Sequence, residues 1–352
     1  MIDRERALLR AIFAADSEAA PRFQAWQAAV DLDHFPPAHH LLLPMLSARL
    51  EALGIQQDAR LMGLRRRTWY ANQLAWRTLN VAASILRAVD VTPALIGDAA
   101  CARTLYPIGQ LRPIEMAALL VPISQASHAL RTLIDHGWQP QPPTAAVLTP
   151  SFYIWRAGCP LNSPDNFRLT VKWHALSEWP APRLTTAIWS QTVPDEQSGA
   201  LLNLSTTALL ISAAARPRQP LMALADAITI LRSDQPLDWP WLIETAGMAD
   251  LAAKMLSTLA AMRDVIEVQV PDPVVTQLQA IAARPRRPID LAGPSVTGLR
   301  RHAYRFRRLA AAQALRPSPL AWLEYVQHHW GLARRRDVLN YLARRLNRRN
   351  QS

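Results

Sequence analysis

The sequence predicts an α+β protein that is mostly helical, in which helical regions at both ends flank a small mixed sheet. The first observation is the helical spacing of apolar residues over residues 1–89 and from about residue 201 onward. The second is the stretch 91–122, in which two short apolar runs enclose a helix-like segment. The third is the alternation of apolar and polar residues over 167–174, which is typical of a strand.

Four regions follow from these patterns. We expect an N-terminal helical region at 1–89, an α/β core at 90–185, a second helical region at 186–290 and arginine-rich helices at 291–352. The proline-rich stretch 284–294 is the best linker candidate. The length of 352 residues suits two or three subdomains.

The composition places the chain among globular proteins. Half of the residues are apolar and 19% are charged, which excludes a disordered chain. No apolar run approaches the roughly 20 residues that a membrane span needs. The N-terminus lacks the long apolar core of a signal peptide, so we expect a cytoplasmic protein with no membrane span.

The N-terminal region is predicted to contain helices at Ala7–Phe13, from Pro21 and over Leu61–Val89. The apolar face of the long helix is predicted from residues that recur at helical spacing, namely Tyr70, Leu74, Val81 and Ile85. Three consecutive arginines, Arg65–Arg67, lie at its start, and we expect them to be a solvated surface.

The α/β core is predicted to begin with a strand at Pro93–Ile96 and to continue with a helix that ends near Tyr106 and a strand at Ala117–Val121. A helix at Ser124–His136, stopped by Gly137, and a strand at Phe167–His174 follow, with a polar loop from Gly158 to Asp165 between them. Beyond residue 201 the sequence 201–215 reads as one apolar helix, and Asp238 is the predicted cap of a later helix.

The stretch 95–122 contains four short motifs, Leu95-Ile96-Gly97, Tyr106-Pro107, Arg112-Pro113 and Leu119–Pro122. In these motifs the stretch resembles the core of the uncharacterised nucleotidyltransferase family, a branch of the polymerase-beta-type superfamily. Weaker likeness is found at Trp173 and over 224–241, where Asp226 follows an apolar run. The resemblance implies a nucleotidyltransferase-like core.

The family's metal-binding carboxylates are missing at the positions that the resemblance assigns to them. Met116 and Ala118 occupy the aspartate-x-aspartate positions, and Thr170, or Lys172 in a second register, occupies the third. Nucleotidyl transfer in this superfamily needs a divalent metal on hard oxygen ligands. The resemblance therefore implies no catalytic residue, no metal site and no cofactor.

The main interpretation is a catalytically degenerate nucleotidyltransferase-like protein that acts as a binding or regulatory scaffold. Its partner is expected to be a protein or peptide, and the family's usual setting suggests a peptide-modification or surface-polysaccharide pathway. The candidate occupants of its cleft are a peptide, a nucleotide that is not turned over, or none. The candidate residues for this cleft are Gly97, Asp98, Arg112, Lys172 and His174.

Two alternatives remain open at this point. One is an active, magnesium-dependent nucleotidyltransferase with displaced ligands, drawn from Asp98, Glu115 and Asp165. The other is nucleic-acid binding by the C-terminus, because residues 296–352 contain thirteen arginines and two acids. The candidate basic patch consists of Arg301, Arg305, Arg308, Arg334, Arg335 and Arg336.

Overall fold

The structure, a computed structural model, is an α+β fold in which helices surround one mixed sheet. It describes residues 3–31, 34, 39–106, 111–141, 149–176, 182–195, 199–216, 220–248, 250–266, 270–284, 299–332 and 334–338. The predicted fold class is confirmed. No helix in these ranges combines the length and the apolarity that crossing a membrane requires.

Helices make up most of the described chain. A short 3₁₀ turn at Ile123–Gln125 precedes α6. The α-helices are α1 (Asp3–Phe13), α2 (Asp16–Ala28), α3 (Leu43–Ala52), α4 (Ala59–Arg87), α5 (Asp98–Leu105), α6 (Ala126–Asp135), α7 (Pro150–Trp155), α8 (Pro182–Trp189), α9 (Thr206–Ala214), α10 (Pro220–Arg232), α11 (Trp239–Met248), α12 (Ala252–Arg263), α13 (Asp272–Ala282), α14 (Leu299–Ala312) and α15 (Pro319–His329).

The sheet has seven strands in the order β3-β4-β5-β2-β1-β7-β6. Its centre combines parallel pairing of β2 with β5 and of β1 with β7 with antiparallel pairing of β1 with β2. The three outer pairings are antiparallel. The strands are β1 (Ala94–Leu95), β2 (Ala117–Leu120), β3 (Gln139–Pro140), β4 (Gly158–Asn162), β5 (Arg168–Lys172), β6 (Thr192–Pro194) and β7 (Leu202–Leu204).

Two hydrophobic clusters hold the described chain together. The larger one runs from Leu8 to Leu278 and so includes residues of the first three predicted regions. The smaller one joins α7 to α14 and α15 through Trp155, Phe306 and Tyr325. The ring centroids of Trp155 and Phe306 lie 5.4 Å apart, so the C-terminal helices dock on the core through an aromatic contact.

The predicted apolar face of the long helix is wrong at Tyr70 and Val81, whereas Ile85 packs against the core as predicted. Tyr70 is 61% exposed and Val81 is 47% exposed, whereas Ala82 and Ala83 are fully buried. α4 packs against β2 and α6. The buried side of α4 also includes Leu79 and Leu86, so alanines that allow a close approach to the sheet alternate there with leucines that fill the core.

Two strands lie where the sequence predicted other structure. Residues 202–204 form β7, which pairs in parallel with β1, and the predicted helix begins only after Ser205, whose hydroxyl accepts a hydrogen bond from the Ala208 amide. The predicted polar loop after Gly158 begins as β4. Because β7 belongs to the sheet, the sheet continues beyond residue 185, the predicted end of the α/β core. Pro21, the predicted start of a helix, instead lies inside α2.

Two local signals at helix ends are confirmed. Gly137 follows the end of α6 with a φ of 86°, in the region that glycine tolerates best. The Asp238 carboxylate accepts a hydrogen bond of 3.0 Å from the Trp241 amide at the start of α11, which confirms the predicted cap. Both signals depend on short-range contacts, which explains why the sequence contained them.

Gly158 is required by the close approach of β4 to β5, because a Cβ atom there would lie 2.7 Å from the Val171 carbonyl oxygen. We expect Gly158→Ala to lower the free energy of unfolding by about 1–3 kcal/mol, measured by urea denaturation. Gly63→Ala is the control, since its Cβ in α4 would meet nothing within 4 Å. The control should be neutral or slightly stabilising, and equal losses would contradict the steric explanation.

Candidate functional site

The buried guanidinium of Arg112 is the centre of the candidate site. Arg112 is 1% exposed and lies in the loop between α5 and β2. Its Nε and Nη2 atoms donate to the two carboxylate oxygens of Asp226, each at 2.8 Å. Nη2 also donates to Asp98 Oδ1 at 3.0 Å. This two-pronged geometry is the strongest form of an arginine–carboxylate contact.

A second arginine completes the cluster. The Nη1 atom of Arg216, just beyond α9, lies 2.8 Å from Asp226 Oδ2 and 3.4 Å from Asp98 Oδ1. Its Nη2 donates to the Cys101 sulfur at 3.0 Å, and the Tyr106 hydroxyl donates to Asp226 Oδ1 at 3.0 Å. Two arginines thus balance two aspartates in charge. Buried charges are tolerated when they are paired and hydrogen-bonded in this way.

The pKa of Asp226 reflects this balance. Burial by itself raises the pKa of a carboxyl group, but the charges of Arg112 and Arg216 outweigh it, and the pKa of Asp226 lies below its ordinary value. Burial also raises the pKa of the Cys101 thiol to about 11. At neutral pH the aspartate is therefore charged and the thiol is protonated.

Backbone contacts fix the loop that contains Arg112. The Asn72 side chain on α4 donates to the Arg112 carbonyl at 2.8 Å and accepts from the Ile114 amide at 2.9 Å. Asp98 Oδ2 accepts from the Met116 amide at 3.2 Å. Gly97, with a φ of 70°, makes the turn that places Asp98 at the start of α5. The loop is therefore held from α4 and from α5.

Ala118 and Thr170, two of the three residues at the expected carboxylate positions, are neighbours on the sheet. Ala118 on β2 pairs directly with Thr170 on β5, and both are buried. Met116 precedes β2 and is 48% exposed. The three side chains offer a thioether, a methyl group and a hydroxyl. None of them is the carboxylate that magnesium prefers.

The three acids that the magnesium-dependent alternative would use as ligands, Asp98, Glu115 and Asp165, lie in environments that differ from one another. Both carboxylate oxygens of Asp98 are engaged by arginines or by the Met116 amide. Asp165 lies 3.6 Å from Arg77 at the surface, and Glu115 is exposed. Within the described ranges, no group of three His, Cys, Asp or Glu side chains could hold a metal ion.

Lys172 adds a positive charge to this part of the sheet. It lies two residues beyond Thr170 on β5, so the two side chains point to the same face. Burial, together with the charge of Arg216, lowers the pKa of Lys172 to about 8, although Asp98 opposes this shift. Around neutral pH the amine is protonated, and it gains a substantial neutral population as the pH approaches 8.

His174 lies in a different environment from the arginine cluster. It is fully buried, and its Nδ1 atom lies 3.3 Å from the Thr185 hydroxyl on α8. Burial lowers the pKa of His174 to about 4, so the ring is neutral at pH 7. Its Nε2 atom has no hydrogen-bond partner among the described residues.

The candidate basic patch is partly neutralised. Arg308 on α14 lies 3.4 Å from Asp250, and Arg335 pairs with Glu324 on α15. Arg334 and Arg336 are exposed, and Arg305 is partly buried on α14. The side chain of Arg301 lies outside the described residues.

Arg216 is the member of the site that the sequence did not indicate. It follows an alanine-rich helix, where a basic residue is typical of a helix C-terminus. Its partner Asp98 is 118 residues away in the chain, and no local pattern reports such a contact. Asp226 and Tyr106 were part of the family resemblance, but their contact with each other required the structure.

The protein thus has a mostly helical α+β fold in which helices surround a mixed sheet, and a buried ionic cluster lies at the loop before β2. No family model, curated protein or solved structure matches this chain.

Breaking the cluster is expected to be costly. Asp226→Asn removes one of two negative charges from a fully buried site, so we expect a loss of about 3–5 kcal/mol in the free energy of unfolding. Asp165→Asn, which removes an exposed ion pair with Arg77, should cost no more than about 1 kcal/mol. Urea denaturation measures both, and similar losses would show that the cluster is not specially important.

The Lys172 amine is expected to titrate near pH 8. The chain has two lysines, Lys172 and Lys254, so reductive ¹³C-methylation gives few NMR signals. The signal that disappears in Lys172→Arg should have its midpoint at about 8, because burial and Arg216 disfavour the charged amine. A midpoint near the ordinary lysine value of about 10.4 would contradict the burial of this amine.

Proposed function

We propose that this protein is a catalytically degenerate nucleotidyltransferase-like scaffold that binds a protein or peptide partner. The observation that carries the proposal is the register of β2 and β5, in which Ala118 lies beside Thr170. The family resemblance assigns a carboxylate to both positions. Their adjacency supports the alignment on which the proposal depends, since ligands of one metal must lie close together.

The charges near these strands support the absence of metal-dependent chemistry. A divalent cation needs negative surroundings, but Lys172 and Arg216 lie on the side of the site where Asp98 is found. Asp98 is already neutralised by its contacts with two arginines. A cation that bound Asp98 would have to displace the two arginines, and it would be repelled by the positive charge of Lys172.

The motif residues that the chain shares with the family support a structural role for the former catalytic core. Tyr106, Arg112 and Asp226 are among the motif residues that the chain retains, and Tyr106 and Arg112 both donate hydrogen bonds to Asp226 in the buried cluster. Their retention is then explained by folding rather than by catalysis. The resemblance further suggests a place in peptide modification or in the making of surface polysaccharides.

The proposal is tested by nucleotide turnover. With each ribonucleoside triphosphate and Mg²⁺ or Mn²⁺, we expect no pyrophosphate release above the background without protein, because Met116, Ala118 and Thr170 occupy the positions to which the resemblance assigns the metal-binding carboxylates. Mass spectrometry of the protein and of added acceptors should show no nucleotidyl adduct.

Glu115→Gln and Asp165→Asn are the informative variants if turnover is observed. Both residues lie at the surface, so their replacement should leave the fold unchanged. Metal-dependent turnover by the wild-type protein that either variant abolishes would establish the active transferase with displaced ligands and overturn the scaffold.

A further inference from the structure

The exposed side of α4 combines unpaired positive charge with exposed aromatic rings. Its central part, the α4 surface, consists of Arg66, Arg67, Trp69, Tyr70 and Gln73, all of which are exposed. Trp69 is 56% exposed and Tyr70 is 61% exposed, the highest values among the large apolar side chains of the described chain. Their exposure has no explanation in the packing of the core.

The charge of α4 is one-sided. Its 29 residues include six arginines and no acid. Four of these arginines have partners: Arg60 with Asp58, Arg65 with Glu51, Arg77 with Asp165, and Arg87 with the Gly199 carbonyl. Arg66 and Arg67 have no ion-pair or hydrogen-bond partner among the described residues.

The unpaired arginines and the exposed rings are neighbours on the helix. Tyr70 lies four residues after Arg66 and three after Arg67, and Trp69 lies three residues after Arg66. Residues at these spacings are adjacent on a helix surface. The two guanidinium groups therefore lie one turn before the two rings, and Gln73 continues the surface by another turn.

We propose that the α4 surface binds single-stranded nucleic acid. Proteins bind single strands by combining positive charge for the phosphates with aromatic side chains on which bases stack. Arg66 and Arg67 supply the charge, and Trp69 and Tyr70 supply the rings. In a duplex the bases are already stacked on each other and cannot reach these rings.

A membrane surface fits the same residues less well. A helix that lies on a membrane inserts a continuous apolar face. The apolar face of α4, which includes Leu79, Ala82 and Leu86, is buried in the core, and Gln73 and Arg77 continue the exposed side.

Arg67 also lines a cavity of about 320 Å³ with several leucines, so one end of the surface has room for an unstacked base.

This inference is independent of the scaffold proposal. The α4 surface is separate from the buried cluster, which faces the other side of the helix through Asn72. It also differs from binding by the C-terminal arginines, where Arg308 and Arg335 are paired with acids.

Fluorescence anisotropy with a labelled oligothymidylate of about 12 nucleotides tests the proposal. We expect binding at about 50 mM salt that weakens steeply toward 200 mM, because phosphate contacts release counterions. Trp69→Ala with Tyr70→Ala should weaken binding on the order of 10-fold or more, since stacked bases are lost. Arg66→Gln with Arg67→Gln should lower the slope of log affinity against log salt by about 1.4.

The matched control is Arg334→Gln with Arg336→Gln, which removes the same two charges from exposed C-terminal positions. Its affinity should stay within about two-fold of wild type, and urea midpoints should be unchanged in all variants. The absence of binding at low salt, an equal loss in the control, or equal affinity for duplex would overturn the proposal. Phosphatidylserine vesicles that bind with the same dependence on Trp69 and Tyr70 would also overturn it and assign the surface to a membrane.

Discussion

The contact between the buried Arg112 guanidinium and two carboxylates is the constraint on which the centre of this fold depends. Asp98 comes from α5 and Asp226 from α10, so one side chain joins two helices to the loop before β2. Burying such charges costs a large desolvation free energy, so the pairs add less to stability than their short distances suggest. We expect them to favour one arrangement of α5, α10 and the loop, because moving any of these elements apart would leave a buried charge unpaired.

The same contacts limit the chemistry that the site can perform. A carboxylate with both oxygens engaged by guanidinium and amide groups has little capacity left for a metal ion, and Asp98 is in that state. Its neighbours on the sheet, Ala118 and Thr170, contribute no charge. Because Arg112 and Arg216 already balance the charges of Asp98 and Asp226, the cluster needs no added cation for charge balance.

The sequence predicted elements whose signals are local and missed those that depend on distant contacts. The ends of α6 and α11 follow from Gly137 and Asp238, which act within a few residues. By contrast, β7 reads as the beginning of the following helix, because its pairing with β1 and β6, and no local pattern, makes it a strand. Arg112 and Asp98 were named from the motif, whereas Arg216 joins them through contacts more than 100 residues apart in the chain.

Arginine has two opposite roles in this chain, and residue type alone does not separate them. Arg112 and Arg216 lie in the interior because carboxylates, carbonyls and a sulfur surround them. Arg66 and Arg67 carry the same guanidinium group, but no acid of the described chain pairs with them, so their charge faces solvent beside Trp69 and Tyr70. The deciding variable is the position of the acids. Positive charge is available to a ligand where no aspartate or glutamate pairs with it, and within α4 this holds for Arg66 and Arg67, whereas Arg60, Arg65 and Arg77 are paired with acids.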